Sequence, residues 1–316
     1  MRPRNGKSND YGFTLVELLV VISVIGVLSS VVLVNMGGMR QSATIAQSKT
    51  FMSSIQQKIG IDIAGAWDLN DGSGATAKDS SGMNNNGTLV NAPAWEAAEN
   101  CVLKGCLNFD GASRYVTIPN SPYFKPDTTV SLWIKPATYG ADTYGSQLVS
   151  LMDGCVGANG GYMFGLRPTG SVVVISGSNS VNPGDWNVSL GNGGKVNYWI
   201  NLVFVWEATG ASTSSQYIYA DGKQVGKRNL AIAVPSQLTS VLNVGRFTQC
   251  WPARYYSGLM DDIQIYNAAL SIAAVRERYL AGLKGLLATG QIAKTEYGER
   301  ISQSNKEYAV MEQKAK

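Results

Sequence analysis

The spacing of apolar and polar positions changes texture several times along this chain. From Phe13 to Met36 almost every residue is apolar (FTLVELLVVISVIGVLSSVVLVNM). As a helix, that run is long enough to cross the ~30 Å hydrocarbon core of a bilayer. Residues 39–60 then set Ile45, Met52, Ile55 and Ile59 on one stripe with Gln, Ser and Lys opposite. That is the pattern of an amphipathic helix continuing the first, and together they would extend ~70 Å. From about residue 64 the period falls to two. Val130, Leu132 and Ile134 alternate in TVSLWIKP, as do Val196, Tyr198, Ile200, Leu202, Phe204 and Trp206 in KVNYWINLVFVW. Asp221-Gly222 sits between two such runs as a hairpin turn. No long helical period intervenes before Asn267, which predicts an antiparallel two-sheet sandwich. A helix is then expected in SIAAVRERYLAGLKGLLA, with Ser271 as its N-cap. The polar tail 289–316 reads equally as a frayed helix or as disorder. The fold class is α+β, mainly β.

One charge interrupts the first run. Glu17 is its fifth residue, and a carboxylate inside a membrane helix is expensive and usually paired. The preceding residues 1–12 carry Arg2, Arg4 and Lys7, which hold this end on the cytoplasmic side. The small residue placed for processing, Gly12, lies before the apolar run rather than after it, unlike a secretory signal. Cleavage there would leave the helix on the mature chain and free an α-amino group on Phe13 to partner Glu17.

The leader, the Gly12-Phe13 junction and the fifth-residue Glu17 closely resemble the signal of type IV prepilins and pseudopilins, over roughly residues 1–60. The resemblance implies cleavage between Gly12 and Phe13 by a prepilin peptidase, N-methylation of Phe13, and contact of Glu17 with the Phe13 amine of an adjacent subunit during assembly. Gly26 falls where pilin helices often carry a glycine. The proline common about eight residues later is replaced by Val34, with Gly37-Gly38 as an alternative point of helix weakness.

Composition narrows the chemistry. The net charge is +4, and loss of the leader with its three bases and Asp10 leaves +2; no basic block points to nucleic acid. Histidine is absent, which removes His-based triads and most zinc or iron sites. Cys101, Cys106, Cys155 and Cys250 all lie beyond the apolar run, on the translocated side, where an even count reads as disulfides. Their pairing stays open: Cys101 with Cys106 closes a short loop, leaving Cys155 with Cys250 to join distant segments.

A second resemblance covers about residues 64–282. AWDLNDGSGATAKDSSGMNNNGTL, LNFDGASRYVTIP, TVSLWIKP, IYADGKQVG and GLMDDIQIYNAALS together resemble the laminin-G-like branch of the concanavalin A-like lectin/glucanase superfamily. That implies a β-jelly roll whose curved face binds glycans or proteins, often with calcium at its rim. The glucanase motif E-x-D-x-x-E is absent: Glu96 and Glu99 lack the intervening Asp, and Glu207 stands apart. Without paired carboxylates, histidine or a nucleophile elbow, the chain is not expected to be an enzyme. Calcium wants several oxygen ligands on turns; Asp79, Asp110 and Asp262 are the leading candidates, while simple turn chemistry explains the same residues. Trp67, Trp133 and Trp206 fall in strand motifs and read as core. Trp186 in NPGDWNV, with Trp251, Arg254, Tyr255 and Tyr256 in QCWPARYY, forms the candidate recognition surface.

The expected organisation is a leader (1–12), a pilin-type helix (13–60, transmembrane over 13–36), a laminin-G-like sandwich (61–270) and a C-terminal helix with polar tail (271–316). The expected role is a filament subunit held first in the bacterial inner membrane as a single-pass chain, N terminus cytoplasmic, and then carried to the cell surface. Its partners would be other pilin subunits, in a homo- or hetero-polymer, and a glycan or surface protein bound in adhesion. The alternative is a pseudopilin of a secretion or DNA-uptake apparatus with a purely architectural sandwich.

Overall fold

A computed structural model describes residues 15–26, 63–119, 127–140, 145–152, 160–177, 184–191, 195–234, 240–247 and 254–315. Gly12, Phe13, the stripe over 39–60, Cys155, Cys250 and Trp251 lie outside them. The chain divides into two compact units, Met1–Thr44 and Ile45–Lys316. In the first, residues 15–26 form helix α1, whose apolar side chains are exposed along its length, Leu15 to 84%. Among the described residues no helix is long and apolar enough to cross a membrane; the expected span over 13–36 lies only partly within them.

The second unit holds the strands. In chain order they are β1 (Ile63–Trp67), β2 (Thr76–Ala77), β3 (Gly87–Val90), β4 (Ala94–Ala97), β5 (Gly105–Asp110), β6 (Tyr115–Ile118), β7 (Thr128–Pro136), β8 (Ser146–Met152) and β9 (Gly161–Leu166). Then follow β10 (Ser171–Gly177), β11 (Trp186–Ser189), β12 (Ile200–Gly210), β13 (Thr213–Ala220), β14 (Lys223–Leu230), β15 (Leu242–Val244), β16 (Arg246–Phe247), β17 (Arg254–Tyr255) and β18 (Ser257–Tyr266). One sheet runs β14-β13-β12-β7-β18-β5-β4, with β1 also on β18; the other runs β11-β10-β9-β8-β15-β6-β3-β2; β16 and β17 form a short ribbon. This is the antiparallel sandwich that the period-two pattern predicts.

The alternating residues build its core. Val130, Leu132 and Ile134 of β7 and Ile200, Leu202, Phe204 and Trp206 of β12 face Tyr162, Phe164, Leu166, Val172 and Val174 of the opposite sheet. Phe204 meets Tyr162 and Phe164 with ring centroids 5.4 and 5.9 Å away. The Asp221-Gly222 hairpin is present, with Asp221 at φ 50° and Gly222 at φ 75°, the left-handed pair that a two-residue turn demands.

The outer face of the first sheet is also covered. Helix α2 (Ile272–Ala288) starts at Ser271, whose hydroxyl accepts from the Ala274 N–H, and packs Ala274 and Val275 on Val203, Val205, Tyr219 and Tyr266. Farther along, Tyr279 stacks on Trp133 at 5.8 Å, and Leu283 and Leu286 cover the loop between Cys101 and Cys106. Trp133 is therefore core, but in this outer layer rather than between the sheets. The polar tail resolves as helix α3 (Lys294–Ala315). The contrast with a one-face sandwich has a plain source. In β12 both the even and odd positions of INLVFVW are apolar or capped, which suits a strand buried on both sides.

Candidate recognition sites on the sandwich

Of the three aspartates expected around calcium, Asp79 and Asp110 sit in two separate turns and Asp262 on strand β18, each occupied with protein donors. Asp79 accepts from the Ala66, Ser81 and Asn85 N–H groups, fixing the Asn-rich loop between β2 and β3. Asp110 accepts from Ala112, Ser113 and Arg114 N–H; these bonds outweigh its partial burial and hold its acid below the usual carboxylate range. Asp262 stands at a bulge of β18 with φ 45°, bonded by Gln264 Nε2 and 3.7 Å from Arg278. Asp79, Asp110 and Asp262 do not converge as one ligand set among the described residues: Asp79 and Asp110 accept from backbone N–H groups of their own loops, and Asp262 from the Gln264 side chain.

Neighbouring Asp261 is fully buried and accepts from Val102 and Leu103 N–H at 2.8 and 3.2 Å and from Asp262 N–H. Burial first, and the Asp262 charge next, push its acid well up. It ties β18 to the loop closed by the Cys101–Cys106 disulfide. Cys101, Cys106 and Asp261 are the one group of three metal-ligating residues that converge among the described residues. Both sulfurs are already joined to each other, so no thiolate is on offer there.

The aromatic cluster is split by strand alternation. Arg254 and Tyr256 point inward, 6% and 0% exposed, and Tyr256 packs on Phe109 at 6.0 Å. As accessible recognition residues they are corrected: Arg254 of β17 and Tyr256, in the link to β18, are both buried, on either side of Tyr255. Tyr255 faces out. The β16–β17 register sets it opposite Arg246, and Tyr115 of β6 completes the group, its ring 6.4 Å from that of Tyr255. The Arg246 guanidinium lies 4.2 Å from the Tyr115 centroid and 5.8 Å from that of Tyr255. Gly245, at φ 81°, turns the chain out of β15 into this ribbon, and its N–H bonds Leu148 O at 2.8 Å. Trp186 is elsewhere, on edge strand β11, packed on the core with the Arg228 guanidinium 5.0 Å above it. Arg228 is spent on Gln216, Ser176 and Gly184 O, a network that closes the sandwich edge.

A polar cleft of about 550 Å³ opens where the β13–β14 turn meets α3, lined among others by Lys195, Tyr198, Asp221, Lys223, Arg300 and Glu307. Arg300 donates to Trp199 O at 3.2 Å and to Glu296 at 2.8 Å, and stacks on Tyr198 at 4.1 Å. Asp221 Oδ1 accepts from Asn201 N–H at 3.0 Å. Burial pushes its acid up to about 6 against the opposing pull of Arg300. Tyr198 is likewise pushed up to about 12 by burial. Neither this cleft nor Arg246 was anticipated. Both come from segments far apart in sequence, and NVGRFTQC carries no motif.

Comparisons with known proteins agree with this geometry. The family described as concanavalin A-like lectin/glucanases superfamily matches residues 110–276, just over half of the sequence, and the chain belongs to it. The prokaryotic N-terminal methylation motif matches residues 7–33. The chain is thus prepilin-like at its N terminus and lectin-like in its sandwich. No curated protein matches. Among solved structures, domain 4 of AbnA, an extracellular arabinanase from Geobacillus stearothermophilus in complex with arabinotriose, is similar with TM-score 0.52 and 17% identity, over 69% of this chain and 98% of that one. The binding domain of Paraclostridial Mosquitocidal Protein 1 follows with TM-score 0.54 and 15% identity, over 70% of this chain. The binding domain of botulinum neurotoxin serotype D gives TM-score 0.53 and 11% identity over 71%. The chain spans about half the length of these last two, 52% and 53%. At these identities the likeness is one of fold.

Proposed function

We propose that this chain is a type IV pilin-like filament subunit that displays its sandwich outside the cell for adhesion or surface attachment by glycan or protein recognition. The observation that supports this most is the union, in one chain, of a methylation motif at 7–33 and a lectin-superfamily domain. In this reading a prepilin peptidase cuts between Gly12 and Phe13, Phe13 is N-methylated, and Glu17 pairs with the Phe13 amine of a neighbouring subunit, since a charged carboxylate is costly in an apolar membrane helix and a cation offsets that cost. The chain inserts in the inner membrane first and reaches the surface by assembly.

The sandwich is read as a binding module rather than a catalyst. Its glutamates on β4 and β12 are occupied: Glu96 accepts from Asn108 and Asn100, and Glu207 from the Tyr217 hydroxyl. Calcium is proposed only as a rim ion, and chelation tests it. The Cys101–Cys106 bridge would leave Cys155 and Cys250 to pair with each other.

Shearing of surface filaments tests the reading. The full chain is expected in the filament fraction at the mass of a form lacking residues 1–12. Glu17→Ala should insert and be processed but stay in the membrane, and Gly12→Leu should keep the precursor mass. Recovery only from short, non-extracellular assemblies would favour the pseudopilin alternative with an architectural sandwich.

A further inference from the structure

Arg246 is held in place without a counter-ion among the described residues. Its carbonyl accepts from Ser150 Oγ at 3.2 Å, the adjoining Gly245 N–H is bonded to Leu148 O, and its guanidinium is flanked by Tyr115 and Tyr255. Yet its Nε is buried with no hydrogen-bond partner, and the side chain has no ion pair among the described residues. Arg254, on the paired strand, also has a buried Nη1 without a hydrogen bond, but at 6% exposure it is closed to any ligand; other guanidiniums of the sandwich are matched. Arg114 faces Asp110, Arg167 bonds Asp185 and Asn187, and Arg228 and Arg300 are bonded as described. Arg278 also lacks hydrogen bonds, but it faces Asp262 and is 3% exposed, closed to any ligand. Arg246 is half-buried and reachable.

The surroundings are those of a hydroxyl-rich ligand. Val116 and Ile118 of β6 enter the core, so Tyr115 and Thr117 share the outward face. Thr117 stands opposite Thr88 on one side and Asn243 on the other, giving a row of polar side chains beside the two tyrosines. A guanidinium presents a planar fork of N–H donors that matches a carboxylate, and it stays charged at any physiological pH. Tyrosine faces suit the C–H face of a sugar ring, and the Thr–Thr–Asn row suits its hydroxyls.

We infer that Arg246, between Tyr115 and Tyr255, is the anion-reading centre of a saccharide site, and that the ligand class is a glycan bearing sugar carboxylates. This rests on the reading of the sandwich as a binding module and names what it would select. The anchored backbone and the two flanking rings pre-set the guanidinium, so little ordering is left to binding.

Calorimetry on the detergent-solubilised full chain tests it with four probes: trigalacturonate, its carboxyl-reduced neutral trimer, acetate, and a Glu-rich peptide. Trigalacturonate should bind at least about tenfold more tightly than the neutral trimer, weaken as salt rises, and outcompete acetate. Arg246→Gln should abolish that preference, with Arg246→Lys keeping part of it, while the thermal midpoint stays unchanged. Tyr255→Ala should weaken both trimers alike. Equal binding of the two trimers, unaffected by Arg246→Gln, overturns the acidic-glycan inference and leaves the binding-module reading standing. Binding of the peptide but of neither trimer overturns it in favour of an acidic protein partner. Silence of the native chain toward these probes and a broad glycan array overturns the binding-module reading itself.

Discussion

Arg300 and Arg246 are both guanidiniums stacked on tyrosine, 4.1 Å from Tyr198 and 4.2 Å from Tyr115. What they do with their donors separates them. Arg300 is 7% exposed and spends its N–H groups on Trp199 O and Glu296, fastening α3 to the sandwich. Arg246 makes the same stack with no such partner among the described residues. Stacking alone therefore says little about purpose; the two differ in that Arg300 is bonded through its N–H groups while the buried Nε of Arg246 has no hydrogen-bond partner.

Substitutions can break or sharpen this contrast. Arg300→Ala should cost most, about 3 kcal/mol, because it strips Trp199 O and Glu296 of donors and leaves Asp221 without its cation. A thermal melt should fall by roughly 5–10 °C. Arg228→Ala should follow at about 2 kcal/mol, since buried Gln216 and Ser176 lose a partner and Trp186 its stack, read by denaturant titration. Asp221→Asn tests the electrostatics of the α3 junction. The folded acid, at about 6, lies above the ordinary carboxylate value, so its ionised form is penalised. That penalty is fully present above pH 6 and gone below about pH 4. The variant should be more stable at pH 8 by about 1 kcal/mol, with the gap closing through pH 6 to 4. Arg246→Gln should move stability least, by about 0.5 kcal/mol, because it loses its stacks on Tyr115 and Tyr255 but no side-chain hydrogen bond or ion pair among the described residues. A loss as large as that of Arg300→Ala would erase the distinction.

Much of the sandwich was legible in the sequence. Alternation in TVSLWIKP and KVNYWINLVFVW marked inner-face residues, Asp221-Gly222 marked a hairpin, and Ser271 marked a helix start. The third layer was less so. The stripe that α3 buries contains Arg300 and Ser304 beside Ile301 and Tyr297, so its apolar periodicity is weak although its packing is real. The recognition residues were harder again. QCWPARYY reads as one cluster, but alternation turns Arg254 and Tyr256 inward and leaves Tyr255 to meet Tyr115 and Arg246 from other strands. Asp79 and Asp110 carry the same side chain whether they cap loops or hold an ion; only the direction of the neighbouring N–H groups tells which.

The position of β18 has a consequence for timing. The last strand of the sandwich lies in the middle of its sheet, between β7 and β5, with β1 also paired to it. Until residues 257–266 arrive, the sheet is two fragments with open edges, each able to recruit a strand from another chain. Assembly of such distant pairings is intrinsically slow. The sandwich becomes whole only once Ser257–Tyr266 is in place. Premature termination upstream of Ser257 should therefore yield aggregates rather than a shortened domain.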